Sequence, residues 1–264
     1  MTAAELERAR VTPGGVVASE WLKLVTVRST FWTTAVALLL AALVALMVGA
    51  FADPPDAGAG TRLALTAASV TLGLDALVLG VLGVLSIGGE YATLQIRSSF
   101  TAVPARWPVL VGKAFVVAAW SFVAGLVVTF GGFGIVAGLL AAKGVPIGLD
   151  GPTAGSLLGG AAYLAIVGAF GVGLGSLLRA SAAGITVLAA ILLVLPSILT
   201  IAGGLTRTEW LSDAARSVLS SAGQVLFAAP GTAESPLWAA VVALAVWLAA
   251  VWVPAVLVTR ARDA

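Results

Sequence analysis

LALTAASVTLGLDALVLGVLGVLSIGG, residues Leu63 to Gly89, holds one charged side chain, Asp75, and no proline. A helix needs about 20 apolar residues to cross the roughly 30 Å hydrocarbon core, whereas a transmembrane strand takes about 9–11 and alternates in polarity. A run of this length therefore reads as a membrane-spanning helix. Five further uncharged stretches have the same character: Phe31 to Phe51, Ala114 to Ala142, Leu157 to Leu178, Ala182 to Leu205 and Leu237 to Val258. The expected fold is all-α, a polytopic integral membrane protein with six transmembrane helices. Residues 1–30 form a segment before the spans, 31–259 the transmembrane domain and 260–264 a tail.

Composition agrees with this reading. Of 264 residues, 60% are hydrophobic and 10% charged, and mean hydropathy is +1.10. Soluble domains average about 45–50% apolar and about 25% charged. The net charge of +2 is too small to point to nucleic acid as a partner. What matters is where the charges lie. Arg8, Arg10, Lys23, Arg28, Arg97, Arg106, Lys113, Arg179, Arg260 and Arg262 fall on one side of a six-span topology. The other side has only Arg62, Lys143, Arg207 and Arg216, together with the acids Asp53, Asp56, Asp150, Glu209, Asp213 and Glu234. Short loops rich in Lys and Arg stay in the cytoplasm, so both termini are expected to be cytoplasmic. Ala50-Phe51-Ala52 imitates a signal-peptidase site, but the charged region and apolar run before it are too long for a signal peptide.

Two segments read as helices that do not cross. Val17, Trp21, Leu24 and Val25 recur with helical spacing while Glu20 and Lys23 fall elsewhere, as in a helix lying in the membrane interface. A simple extension of the first span fits equally well. Between the fifth and sixth spans, residues 206–227 read as an outer-face amphipathic helix opened by a Thr206/Glu209 capping box. Small residues four apart, Gly134 with Gly138 and Gly171 with Gly175, suit close helix packing. Pro196 and Pro254 can kink the fifth and sixth spans.

Histidine and cysteine are absent, which removes imidazole and thiolate metal sites, disulfides and Ser-His or Cys-His nucleophiles. The phosphate-cradling pattern G-x-x-x-x-G-K-[ST] is also missing, since Gly112-Lys113 lacks both the first glycine and the following Ser or Thr. The chain reads as a non-enzyme with no cofactor of its own. Asp75 is the one acid expected inside a span, where an ionised Asp at mid-bilayer costs roughly 2.5–3.5 kcal/mol. It could serve as a proton or cation site or line a substrate path. An interfacial Asp hydrogen-bonded to a neighbouring helix is favoured, because no basic residue lies at comparable depth. The spans otherwise hold few polar groups, among them Thr71, Ser121, Thr129, Thr186, Ser197 and Thr200, which suits a hydrophobic or amphiphilic cargo.

The loop at residues 90–113, EYATLQIRSSFTAVPARWPVLVGK, is the most informative stretch. As a helix beginning at Gly89 or Glu90, it places an acid in the first turn and aligns Ile96, Phe100 and Val103 before Pro104 ends it. Glu90, Arg97 and Arg106 would then present both signs of charge to the cytoplasm, as a docking surface or as a solvated connector. SEWLKLVTVRSTFW from Ser19, followed by one span, and GGEYATLQIRSSFTAVPARWPVLVGKAF from Gly88 together resemble permease subunits of type-two ATP-binding cassette (ABC) exporters, particularly the small six-span permeases of actinobacteria. Glu90-Tyr91, Ile96-Arg97, Pro104 and Arg106 match the pattern of that family, while Leu94 stands where glycine is usual.

The resemblance implies a multi-pass protein of the bacterial plasma membrane, paired with an identical or homologous second permease and surrounded by membrane lipid. It implies two copies of a separate ATPase subunit, which would hold the ATP and Mg. The loop after the second span would be the coupling helix, with Glu90, Tyr91, Gln95, Arg97 and Arg106 as its coupling residues. Trp21, Lys23 and Arg28 would belong to a contributing interfacial helix. Alternatives from other classes are a proton-coupled secondary carrier using Asp75 and a non-transporting scaffold or immunity protein.

Overall fold

The computed structural model describes residues 12–102, 106–229, 231–233 and 235–261. Within them every regular element is helical. In chain order these are α1 (Pro13–Thr26), α2 (Arg28–Phe51), α3 (Ala57–Ala92), α4 (Gln95–Ala102), α5 (Trp107–Ala142), α6 (Gly151–Leu178), α7 (Ser181–Ala189), a π turn (Ala190–Val194), α8 (Leu195–Thr206), α9 (Glu209–Arg216), α10 (Leu219–Phe227) and α11 (Leu237–Ala261). Six helices are long and apolar enough to cross a membrane: α2, α3, α5, α6, the continuous α7–π–α8 segment and α11. Arg8, Arg10, Arg262, Glu234, Val103 and Pro104, used above for charge placement and the loop, lie outside the described residues.

Local chemistry explains where the helices start. Asp56 accepts a hydrogen bond from the Ala59 amide at 2.7 Å and so caps α3. Asp150 accepts one from the Thr153 amide at 2.8 Å and caps α6, with a proline in its first turn. Thr12 does the same for α1, with Pro13 following. Each side chain satisfies an amide that the first helical turn leaves unpaired. At the end of α2 the partner is a lysine: Lys143 Nζ donates to the Ala50 and Ala52 carbonyls at 2.7 and 2.8 Å and pairs with Asp53 at 3.1 Å. A cation at a helix C-terminus also opposes the helix dipole favourably.

α6 is the axis of the bundle, with 67% of its apolar window buried, against 11% for the α7–α8 segment. It meets α3 through a seam of glycines. A Cβ on Gly83 would stand 2.2 Å from the Gly168 carbonyl oxygen, and a Cβ on Gly171 would stand 2.2 Å from that of Gly80. The two backbones are in direct contact, a packing open only to residues without side chains. Gly175 belongs to the same seam, facing Ile87 and Val84. Gly134 and Gly138 differ: among the described residues of the chain neither has a neighbour within 4 Å of where its Cβ would be.

Other boundaries also differ from the sequence reading. α3 and α5 reach beyond their apolar cores, so Glu90 belongs to the last turn of α3 and Lys113 to the second turn of α5. Residues 206–227 form two helices, not one. Thr206 ends α8 with its hydroxyl bonded back to the Ala202 carbonyl, so no capping box forms with Glu209. The break falls at Ser217–Val218, where Trp247 Nε1 of α11 donates to the Ser217 carbonyl at 2.9 Å. Pro196 stands one residue beyond the π turn, after Leu195. A proline ring crowds the carbonyl four residues before it, here Leu192, and widening the helix at that point relieves the conflict.

Candidate functional site

α1 is a separate helix, divided from α2 by the extended residue Val27. Its apolar stripe is split: Leu24 is buried and Val17 packs against the core, while Trp21 and Val25 are exposed, as is Leu22. Glu20 turns inward beside Leu24.

Glu20 is buried because it meets ions from two distant helices. Lys113 Nζ of α5 donates to Glu20 Oε2 in a short contact and to Glu90 Oε1 of α3 at 2.9 Å. Lys23 Nζ pairs with Glu20 Oε1 at 2.6 Å and with Glu90 Oε1 at 3.1 Å, and it donates to Ser99 Oγ of α4 at 3.1 Å. Two acids and two lysines thus close a neutral cluster that joins α1, α3, α4 and α5. Side-chain exposure is 3–7% for Glu20, Glu90 and Lys113, and 25% for Lys23. Charges removed from solvent in this way need partners, since an unpaired buried ion is costly.

Burial by itself would lower the Lys23 pKa, but hydrogen bonds and charge from Glu20 and Glu90 more than offset it and hold the ammonium above its ordinary value. A raised folded-state pKa stabilises at every pH below the unfolded lysine value of about 10.4, and that stabilisation is lost only as pH rises through the folded value. Lys23 therefore keeps its charge throughout the neutral range.

This arrangement corrects the expectation for Glu90. It does not open a helix or face water; it sits near the C-terminal end of α3, where the helix dipole disfavours an acid and two lysines compensate. Sequence reasoning also missed Glu20 and Lys113 as site residues. Their separation of 93 positions leaves no local signal. The one available hint is that both are charges bordering long apolar runs.

α4 stands on this base. Ile96 is buried against Val109 and Tyr91, whereas Gln95, Arg97 and Ser98 are exposed. Arg106 precedes α5 and is partly buried, with φ 56°. Tyr91 lies under Arg179 from the end of α6, whose guanidinium carbon is 5.4 Å from the ring centroid, within cation–π range. Trp21 of α1 packs on Trp120 of α5 at 5.8 Å between centroids. Arg28 is exposed at the start of α2. The structure thus brings Lys23, Glu90 and Tyr91 together at the base of α4 and leaves Gln95 and Arg97 on its open face.

Leu94 joins α3 to α4 with φ 60° and is 57% exposed. The left-handed region costs a residue with a Cβ roughly 1–2 kcal/mol, and glycine is the usual residue just past a helix C-terminus. Leu94→Gly is expected to stabilise the protein by about 0.5–1 kcal/mol after subtracting the extra chain entropy that glycine gains on unfolding. Denaturation of both proteins in the same detergent checks this. A loss of stability would mean that Leu94 makes an apolar contact worth more than the backbone strain.

Asp75 lies near the middle of α3 and is completely buried, yet neither carboxylate oxygen meets a donor among the described residues. The favoured expectation of an interfacial Asp hydrogen-bonded to a neighbouring helix is overturned. Asp75 and the cluster occupy separate places, about 22 Å apart along α3 at 1.5 Å per residue. No protein-family model matches the chain, nor does any curated protein.

Proposed function

We propose that the chain is the transmembrane permease subunit of an ABC transporter, exporting a hydrophobic or amphiphilic compound with energy from a separate ATPase subunit. The supporting observation is α4: a short helix between the second and third spans, with Gln95, Arg97 and Ser98 exposed and its base fixed by ions from α1, α3 and α5. A push on such a helix passes to three other helices at once. In this reading both termini are cytoplasmic, in keeping with the charge distribution, and the protein sits in the bacterial plasma membrane. It pairs with a second permease and two ATPase copies, which supply the ATP and Mg site.

Purification in mild detergent from the native host, followed by mass spectrometry, should recover a P-loop ATPase. Arg97→Glu should insert and fold normally but lose most substrate-stimulated ATPase activity in the reconstituted complex, since reversing one exposed charge repels the surface that the original attracted. Undiminished stimulation would sink the assignment of α4 as the coupling element.

Asp75 favours a second reading. A buried acid in the middle of a long apolar helix, with neither oxygen meeting a donor among the described residues, suits a proton-coupled carrier. Under that reading transport persists after ATP depletion and is abolished by Asp75→Asn. Under the permease reading transport stops with ATP depletion, and Asp75→Asn retains it.

A further inference from the structure

A cavity of about 290 Å³ lies against the ion cluster, walled by Leu24, Leu82, Leu85, Val116 and Val117 and bordered by Glu90. We infer that this cavity binds an amphiphile with a primary ammonium headgroup. The polar wall has an excess of acceptor. Both lysine ammoniums are already engaged by Glu20 and Glu90, and Lys23 by Ser99 as well. Glu90 Oε1 takes both lysines, whereas Glu90 Oε2 is buried and meets no donor among the described residues.

A carboxylate oxygen without a donor is costly, and its strongest complement is a charge-assisted N–H donor. The last torsion of a glutamate side chain is soft, so a small rotation turns Oε2 toward a donor in the cavity. An anionic headgroup would find no lysine free of a carboxylate, and a purely apolar ligand would leave Oε2 as it is. The leucine and valine walls suit an alkyl chain, and the volume accepts about ten water-sized groups. The headgroup would therefore sit at the cluster with the chain among α1, α3 and α5. This inference stands apart from the permease reading, since it needs neither an ATPase nor transport.

The test is equilibrium binding of radiolabelled dodecylammonium to the purified full chain in phosphatidylcholine nanodiscs, compared with dodecanol and dodecanoate. Saturable binding at one site, at least tenfold tighter for the ammonium than for the alcohol and weakest for the carboxylate, is expected. Leu85→Trp, which narrows the cavity while keeping all four cluster side chains, should weaken it at least tenfold. Equal binding of all three probes, or binding indifferent to Leu85→Trp in a folded variant, overturns the inference.

A dodecylammonium carrying a diazirine makes the result independent of that variant. Labelling within residues 20–30, 82–95 or 113–117 supports the site, and labelling elsewhere overturns it. Competition by phosphatidylethanolamine would identify the source as a bilayer headgroup, and its failure to compete would identify a soluble amphiphile; both leave the site in place.

Discussion

Lys113→Ala is expected to cost about 3–5 kcal/mol of stability, the range for breaking a buried ion pair by removing one partner. Most of that cost comes from the charges left behind. Without Lys113, Glu20 Oε2 loses its ammonium and Glu90 keeps only Lys23. Lys143→Ala is the internal comparison. That lysine is 31% exposed and its acid partner Asp53 86% exposed, so its ion pair is of the kind worth about 0–1 kcal/mol. Denaturant titration of both variants in one detergent should separate them clearly. If Lys113→Ala and Lys143→Ala lose the same small amount, the cluster is not the fastening described here. Replacing all four cluster residues by apolar ones of similar volume should recover much of the loss, because the desolvation cost goes with the charges.

Gly171→Ala is expected to be among the more damaging single methyl groups in the chain. Its Cβ would fall 2.2 Å from the Gly80 carbonyl oxygen, a backbone atom that cannot rotate away. Overpacking usually costs about 1–3 kcal/mol, and here relief requires separating α3 from α6 along their whole seam, which places the loss at or above the top of that range. Gly134→Ala is the same chemical change in open space. It should gain up to about 1 kcal/mol, because alanine holds a helix better than glycine. Folded yield and detergent unfolding of the two variants should therefore move in opposite directions, and loss of equal size in both would contradict the seam.

The spans were legible because length and hydropathy suffice for them. The bordering residues were not, because α3 and α5 continue as helices past their apolar cores and nothing local marks that point. The two glycine pairs show the same limit. Gly134/Gly138 and Gly171/Gly175 have identical spacing, and among the described residues of the chain only the second pair faces a neighbour. Spacing reports which residues share a helix face, but the tertiary fold decides what that face meets. The inward turn of Glu20 on α1 was not legible because its partner Lys113 lies far along the chain. At Leu94, φ 60° marks a strained turn that hydropathy could not locate.

The clamp at Glu20, Lys23, Glu90 and Lys113 also distributes stiffness. α3, α5 and α1 are pinned together at one end, and the glycine seam locks α3 to α6 along the middle, so these four helices move as a single block. Compliance is left to the elements that touch the block least, α8 and α9. The π turn at Ala190–Val194 interrupts the regular hydrogen-bond ladder just before α8. The molecule is thus a clamped frame with one less firmly held side.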